Sequence, residues 1–344
     1  MKKDSALNLL RKTSRLALVT LWLNGCVIAN SPFLGQKGQT INSLRKNNSL
    51  SSLVFNENER YLQATGEKEN EDCEVSVNSF TDDNSLFYVK YLPKEKRKDD
   101  LIIYLNGLES HSSWFAPVAM LLAEKGIATY ALDRRGSGIN ANLKGSRKDW
   151  LKDLEKIIEA AKMESPDAHI HITSLCFGSR VAGAYETGKG KKKVASQIFI
   201  SPGFKTDVSP NYWENLTAFW SNITNCDSFL IKSPVYDEKL FADDEKVRKA
   251  INEDKLKVIY PQAKDIYQGY LLTKKMNFNQ INSPLLVLYS GRDEIVNYPE
   301  VFSMLSQTNS GEMLFKNYEE DKHSLILENP KAVSRDILNW ISNH

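Results

Sequence analysis

The chain has 344 residues, 41% of them hydrophobic and 26% charged, and a net charge of +2. This is the composition of a globular protein with room for one large domain carrying an insertion, or for two ordinary domains. So even a charge balance gives no footing to a nucleic-acid partner, and no apolar run beyond the first thirty residues is long enough to cross a bilayer.

The N-terminus opens with Lys2, Lys3, Arg11, Lys12 and Arg15, followed by the apolar run Leu16–Leu23. That run is too short to span a membrane but suits an export signal. Next comes Leu23-Asn24-Gly25-Cys26, which resembles a bacterial lipobox, with Asn24 as a departure. The resemblance implies a lipoprotein signal peptide over 1–25 and a lipidated Cys26 at the mature N-terminus. It also implies a protein lipid-anchored in the bacterial cell envelope, at the outer membrane if the host is Gram-negative. A plain cleaved signal or an uncleaved anchor are the alternatives. Residues 26–72, rich in Asn, Ser, Lys and Glu, read as an irregular tether with a short helical stretch around Asn58–Thr65. Export leads to an oxidising compartment. Besides Cys26 and Cys176, the cysteines are Cys73 and Cys226; they either pair or stay as two buried thiols, and the second state is preferred.

From residue 73 onward strand and helix signals alternate. Glu74–Val77 and Leu86–Tyr91 read as strands around the turn-rich Thr81–Asn84. Leu101–Leu105 is a continuous apolar run, as expected of a strand buried on both faces. A helix over Phe115–Lys125 stops at Gly126, and Ile127–Leu132 is the next strand. Trp150–Met163 is an amphipathic helix, His169–Ile172 a strand, and Val194–Ser201 another. After a break come the strand Leu285–Tyr289, a helix over Pro299–Ser306, the strand Met313–Phe315 and a closing helix over Lys331–Ile341. This order predicts an α/β fold with a mostly parallel sheet and helices on both faces. Residues 205–280 interrupt the alternation with Trp213, Phe219, Trp220, Phe229 and Tyr236. They read as a helical cap over the site, and the core is 73–204 plus 281–344.

The chemistry concentrates in Thr173-Ser174-Leu175-Cys176-Phe177-Gly178-Ser179, between the His169–Ile172 strand and the small-residue helix Arg180–Ala184. A sharp strand-to-helix turn with small residues two positions either side of a nucleophile is the G-x-S-x-G elbow, here with cysteine at the centre and serine for the first glycine. A buried structural cysteine is the alternative. A thiol needs a base, and His323, in a polar turn between the last strand and the final helix, is the candidate; His111, His169, His171 and His344 are placed less well. The acid expected between nucleophile and histidine is Asp293, directly after the Leu285–Tyr289 strand, with Asp207 and Glu294 behind it. The oxyanion hole calls for two backbone N–H groups. Phe177, next to the cysteine, supplies one, and Leu108, in Asn106-Gly107-Leu108-Glu109-Ser110-His111-Ser112, the other. No zinc spacing and no phosphate-binding glycine loop is present, so no metal or cofactor is expected.

Taken together, Gly107, His111, Ser112, the Asp133-x-Arg135-Gly136-x-Gly138 turn, Gly178 and Asp293 with Ile295-Val296 resemble the monoacylglycerol lipase/lysophospholipase-like branch of the α/β-hydrolases, also called serine aminopeptidase S33-like. The resemblance covers roughly Val75 to the C-terminus and implies an α/β-hydrolase fold. The text Phe241–Asp244 and Glu253–Leu256 also looks like that branch's cap. Asn106 stands where the branch carries histidine, which alters support of the oxyanion loop. A cysteine in the elbow is similar to dienelactone hydrolases and polyhydroxyalkanoate synthases, neither of which otherwise looks like this chain. The reading is therefore a membrane-tethered hydrolase of small-molecule or lipid-like esters or thioesters, working through Cys176, His323 and Asp293 and an acyl-cysteine. An acyltransferase and a non-catalytic ligand-binding protein of the same fold are the alternatives.

Overall fold

The computed structural model describes residues 49–344 apart from 69, 70, 81, 82, 84, 96, 191–193, 227 and 228. The signal segment, Cys26 and the first part of the tether lie outside the described residues. Among the described residues eight strands form one sheet: β1 (Cys73–Ser79), β2 (Phe87–Pro93), β3 (Asp100–Leu105), β4 (Ala128–Leu132), β5 (His169–Leu175), β6 (Ser196–Ile200), β7 (Leu285–Ser290) and β8 (Met313–Tyr318). The spatial order is β1-β2-β4-β3-β5-β6-β7-β8. β2 runs antiparallel to both β1 and β4, and every later pair is parallel. The apolar runs of β3, β4 and β6 are buried almost throughout, which is why they lack the alternation of a half-exposed strand.

The helices are α1 (Leu50–Thr65), α2 (Ala116–Ala123), α3 (Arg147–Glu164), α4 (Phe177–Tyr185), α5 (Tyr212–Thr224), α6 (Glu245–Glu253), α7 (Ala263–Lys275), α8 (Tyr298–Leu305), α9 (Leu325–Glu328) and α10 (Pro330–Ile341). α2 packs against α1 and α10, and α3 packs against α4. α3 starts where Ser146 and Asp149 form a reciprocal capping box. The insertion between β6 and β7 contributes α5, α6 and α7; α5 packs on α7, and α7 leans on α3 and α4. No described helix is long and apolar enough to cross a membrane. Cys73 and Cys226 are free thiols.

Chain direction reverses its walk across the sheet at β3, with β4 on one side and β5 on the other. In such a sheet a crevice opens at the carboxyl ends of the two diverging strands. The register pairs Leu105 with Ser174, so the loop after β3 and the Cys176 turn leave the sheet side by side.

One expectation needs correcting. The tether 26–72 is not irregular where it is described, because α1 occupies Leu50–Thr65, well beyond the short stretch around Asn58–Thr65. Its buried positions are Leu50, Val54, Glu57, Asn58, Tyr61 and Leu62. They recur at helical spacing, but two are polar, so the apolar period is diluted. Those polar groups find partners: Asn58 Oδ1 accepts from the Tyr91 hydroxyl of β2 at 3.0 Å, and Glu57 pairs with Arg60, one turn on in the same helix, at 2.9 Å.

What fastens α1 is a buried carboxylate from the cap. Asp254 Oδ2 receives the Tyr61 hydroxyl at 2.6 Å and the Trp114 indole N–H at 2.8 Å, and faces His111 Nε2 at 2.8 Å. Its Oδ1 accepts from the backbone N–H groups of Leu256 and Lys257 at 2.7 and 3.0 Å. Burial alone would raise the carboxyl; the His111 charge and these donors outweigh it and hold Asp254 well below the usual carboxylate range. Burial opposes the charged form of His111 in the same way, and Asp254 overcomes it, so His111 is raised. The depressed Asp254 contributes stability above the ordinary carboxylate range that is lost as pH falls through its folded pKa. The raised His111 contributes stability that is complete below the ordinary histidine range and lost as pH rises through its folded pKa. Urea melts across roughly pH 3 to 9 therefore show a plateau for the native chain. Asp254→Asn is expected to lose about 3–5 kcal/mol and to flatten that pH dependence; an unchanged pH profile in the variant would show the pair to be uncharged.

Candidate active site

β5 ends at Leu175 and α4 begins at Phe177, which leaves Cys176 alone to turn the chain between them. Its backbone sits at φ 47° and ψ −107°, a conformation that costs an L-residue about 1–3 kcal/mol. Three backbone bonds hold it there: its N–H donates to Ile200 C=O at 3.0 Å, and its own C=O accepts from Ser179 and Gly203 at 3.1 and 3.0 Å. Gly178 is obligatory beside it, because a Cβ there would lie 2.5 Å from the Leu105 carbonyl oxygen, so α4 reaches β3 only without a side chain. Ser174 fits where glycine was expected: it is fully buried, with Oγ 3.2 Å from Ser179 Oγ.

Asp293 and His323 arrive from the loops after β7 and β8. His323 Nδ1 stands 2.8 Å from Asp293 Oδ2. The carboxylate also accepts the Tyr298 hydroxyl at 2.8 Å and the N–H groups of Ile295 and Val296 at 2.7 and 3.1 Å. Ser201, itself at φ 44°, donates its hydroxyl to the His323 carbonyl at 2.8 Å and so fixes the histidine's loop to β6. Burial would raise Asp293, but the His323 charge prevails and lowers it. Burial likewise opposes the His323 imidazolium; Asp293 and the Cys176 sulfur, each by charge and hydrogen bond, raise it to about 10. The two other acids considered for this place are engaged elsewhere. Asp207 accepts from Asn297 Nδ2 at 2.7 Å, and Glu294 pairs with Lys322 at 2.9 Å.

The loop after β3 is held by Asn106. Its amide donates to the carbonyls of Gly107 and Ser110 at 2.9 and 2.5 Å and to Ser137 Oγ at 2.7 Å, while its oxygen accepts from Arg134 N–H at 3.2 Å. Asn106 thus ties the loop to the Arg134–Ser137 turn, and Asp133 secures the same turn by accepting from Ser112 and Ile139 N–H at 2.6 and 2.9 Å. Glu109, next in the loop to Leu108, faces Lys257 Nζ at 3.3 Å; burial raises its carboxyl to about 7 against the pull of that lysine. His111 serves Asp254, His171 bonds Ser196 Oγ at 2.8 Å, and His169 is largely exposed.

A sequence profile described as serine aminopeptidase, S33, matches residues 96–330. The chain belongs to this family of hydrolases. No curated protein matches it significantly. Among solved structures it is similar to a monoacylglycerol lipase from Paleococcus ferrophilus, at 18% identity and TM-score 0.66, over 75% of this chain and 99% of that one. A soluble variant of monoglyceride lipase from Saccharomyces cerevisiae aligns at 15% identity and TM-score 0.66, over 80% and 97%. A thermostable carboxyl esterase from Bacillus coagulans aligns at 13% and 0.63, over 80% and 99%. At such identities these likenesses establish the α/β-hydrolase fold.

In this member of the family Cys176 opens on a cavity of about 550 Å³ between core and insertion. Leu108, Phe177, Val208, Tyr267 and Ile295 are among its lining residues, whereas His323 is buried and not part of the lining. Several residues that shape the site carried no clear signal. Tyr298 and Ser201 are ordinary residues near strand ends, and only the fold brings them to Asp293 and His323. Gly203 stands in no motif, yet a Cβ on it would lie 2.9 Å from the Cys176 carbonyl carbon and 3.1 Å from its Sγ. Arg180 does interrupt the run of small residues after the elbow, a signal that was available. Gly203→Ala is expected to lose about 1–3 kcal/mol by overpacking and to slow iodoacetamide alkylation of Cys176; unchanged stability and rate would show that the turn has slack.

Proposed function

We propose that the chain is an ester hydrolase in which Cys176 is the nucleophile, His323 the general base and acid, and Asp293 the residue that orients and charges the histidine. The observation that carries this reading is the meeting of a strained Cys176, which lines an apolar cavity, with a buried His323 already bound to a carboxylate. A dead site has no physical need for that pair. Asp293 favours the imidazolium form of His323, which can then protonate the leaving alcohol.

The sulfur attacks the ester carbonyl carbon, forming a C–S bond while the carbonyl electrons move onto oxygen. The N–H groups of Leu108 and Phe177 receive that oxyanion. As the C–O bond breaks, the alcohol leaves with the proton carried by His323, and an acyl-cysteine remains. Water then loses a proton to His323, attacks the thioester carbon and releases the acid, and the sulfur recovers its electron pair. The cavity's aliphatic and aromatic lining suits an acyl chain, and the names of the structural neighbours point to the same class of substrate.

Brief exposure to p-nitrophenyl butyrate followed by acid quench is expected to leave an acyl group on Cys176, seen by peptide mass spectrometry. Asp293→Asn is expected to slow turnover by roughly 10²–10⁴-fold, and Cys176→Ala to abolish it. Turnover that survives Cys176→Ala, or an intact protein that hydrolyses no ester and forms no adduct, would remove this reading.

The proposed setting is the bacterial envelope, with Cys26 carrying the lipid. The support is the basic segment, the apolar run and Leu23-Asn24-Gly25-Cys26 in that order. Expressed in full in a bacterial host, the native chain is expected in the membrane fraction and the Cys26→Ser variant is not; equal partition of the two argues for another anchor or none.

A further inference from the structure

The cavity beside Cys176 is mostly apolar, but its lining includes Arg180, Lys205 and Lys274, and no Asp or Glu among the described residues. Arg180 stands on α4, one turn after the cysteine, and is partly buried. Its Nε donates to the Gly203 carbonyl at 2.6 Å, and the guanidinium carbon lies 5.8 Å from the centre of the Phe177 ring. Both partners are neutral. Burial depresses its guanidinium to about 10, and the charged group that acts against this is the Cys176 sulfur. The other two arginines of this region are treated differently. Arg134 faces Asp265 at 3.3 Å, and Arg135 faces Asp153 and Asp83, each at 2.8 Å. Lys205 has Glu300 at 3.3 Å on the open side, and Lys274 lies over the Tyr270 ring at 5.6 Å.

Withdrawing a cation from water is costly unless an anion meets it. Arginine is also the side chain best shaped to take a carboxylate or phosphate through paired N–H groups. We propose that the site takes esters that carry an anionic group of their own, a carboxylate or a phosphate, and that Arg180 receives this group while the ester carbonyl stands at Cys176. The inference deepens the ester hydrolase reading and rests on it. A neutral ester fills the apolar part of the cavity and brings Arg180 no anionic group of its own.

The test separates binding from turnover. Cys176→Ala protein is titrated calorimetrically with three esters: 1-lauroylglycerol, its 3-phosphate, and glyceryl monosebacate. The second carries its charge on the alcohol side and the third on the acyl side. At least one anionic ester is expected to bind about tenfold to a hundredfold more tightly than the neutral one. Adding Arg180→Gln is expected to remove that preference, and Arg180→Lys to keep part of it. The tighter of the two anionic esters identifies where the charge lies. Equal affinities for all three, or a preference that survives Arg180→Gln, overturn the proposal. So does a variant in which alkylation of Cys176 slows while ester preference stays, since Arg180 then serves the sulfur alone. Anionic esters that bind with the expected preference but are not cleaved by the Cys176 protein would leave the anion site standing and remove the hydrolase reading. Cleavage without preference would do the reverse.

Discussion

The site depends on a single residue being held in a conformation it resists. Cys176 must reverse the chain between β5 and α4 at φ 47°, and the surroundings leave no relaxed alternative. Gly178 lets α4 start against the β3 carbonyls, Gly203 lets the strand-end of β6 pass against the cysteine, and three backbone bonds close the turn. The cost of about 1–3 kcal/mol is spread over packing that a parallel core supplies in any case. What it achieves is exposure: the side chain is lifted off the sheet to the cavity while its neighbours remain buried. The same turn places Phe177 N–H at the first residue of a helix, where the peptide dipoles favour negative charge.

A second constraint decides how the cap meets the core. Asp254 comes from the insertion, His111 and Trp114 from the region after β3, and Tyr61 from α1. Three segments far apart in sequence thus meet at one buried carboxylate. The segment immediately beyond, Lys257, pairs with Glu109 in the loop next to Leu108. The cap is consequently fastened close to the loop after β3, and α1 is part of the core's packing rather than a spacer.

How much of this the sequence discloses follows from the range of the interactions. Every strand of the sheet carried a local signal, since continuous apolar runs such as Leu101–Leu105 and Ile127–Leu132 report double burial directly. Asp293 and His323 were identified because each follows a strand in the order that the elbow demands. α1 was read short because Glu57 and Asn58 are buried by partners, Arg60 and Tyr91, that make them acceptable inside. Tyr298 and Ser201 were invisible for a similar reason, since a hydroxyl that steadies the Asp293–His323 pair looks like any other until the loops converge. Asn106 was singled out as a departure from the family pattern, but its replacement network through Ser137 and Arg134 exists only in three dimensions.

The cysteine itself is best understood with its neighbours. A serine lost by drift would leave the histidine and acid to decay, because a buried charged pair is no better for stability than well-packed apolar residues. Here Asp293 retains four donors, His323 is raised by both Asp293 and the sulfur, and Arg180 adds a further cation on the same side. The proposed nucleophile therefore keeps the histidine, the carboxylate and a nearby cation around it, which is the set of neighbours the proposed chemistry uses.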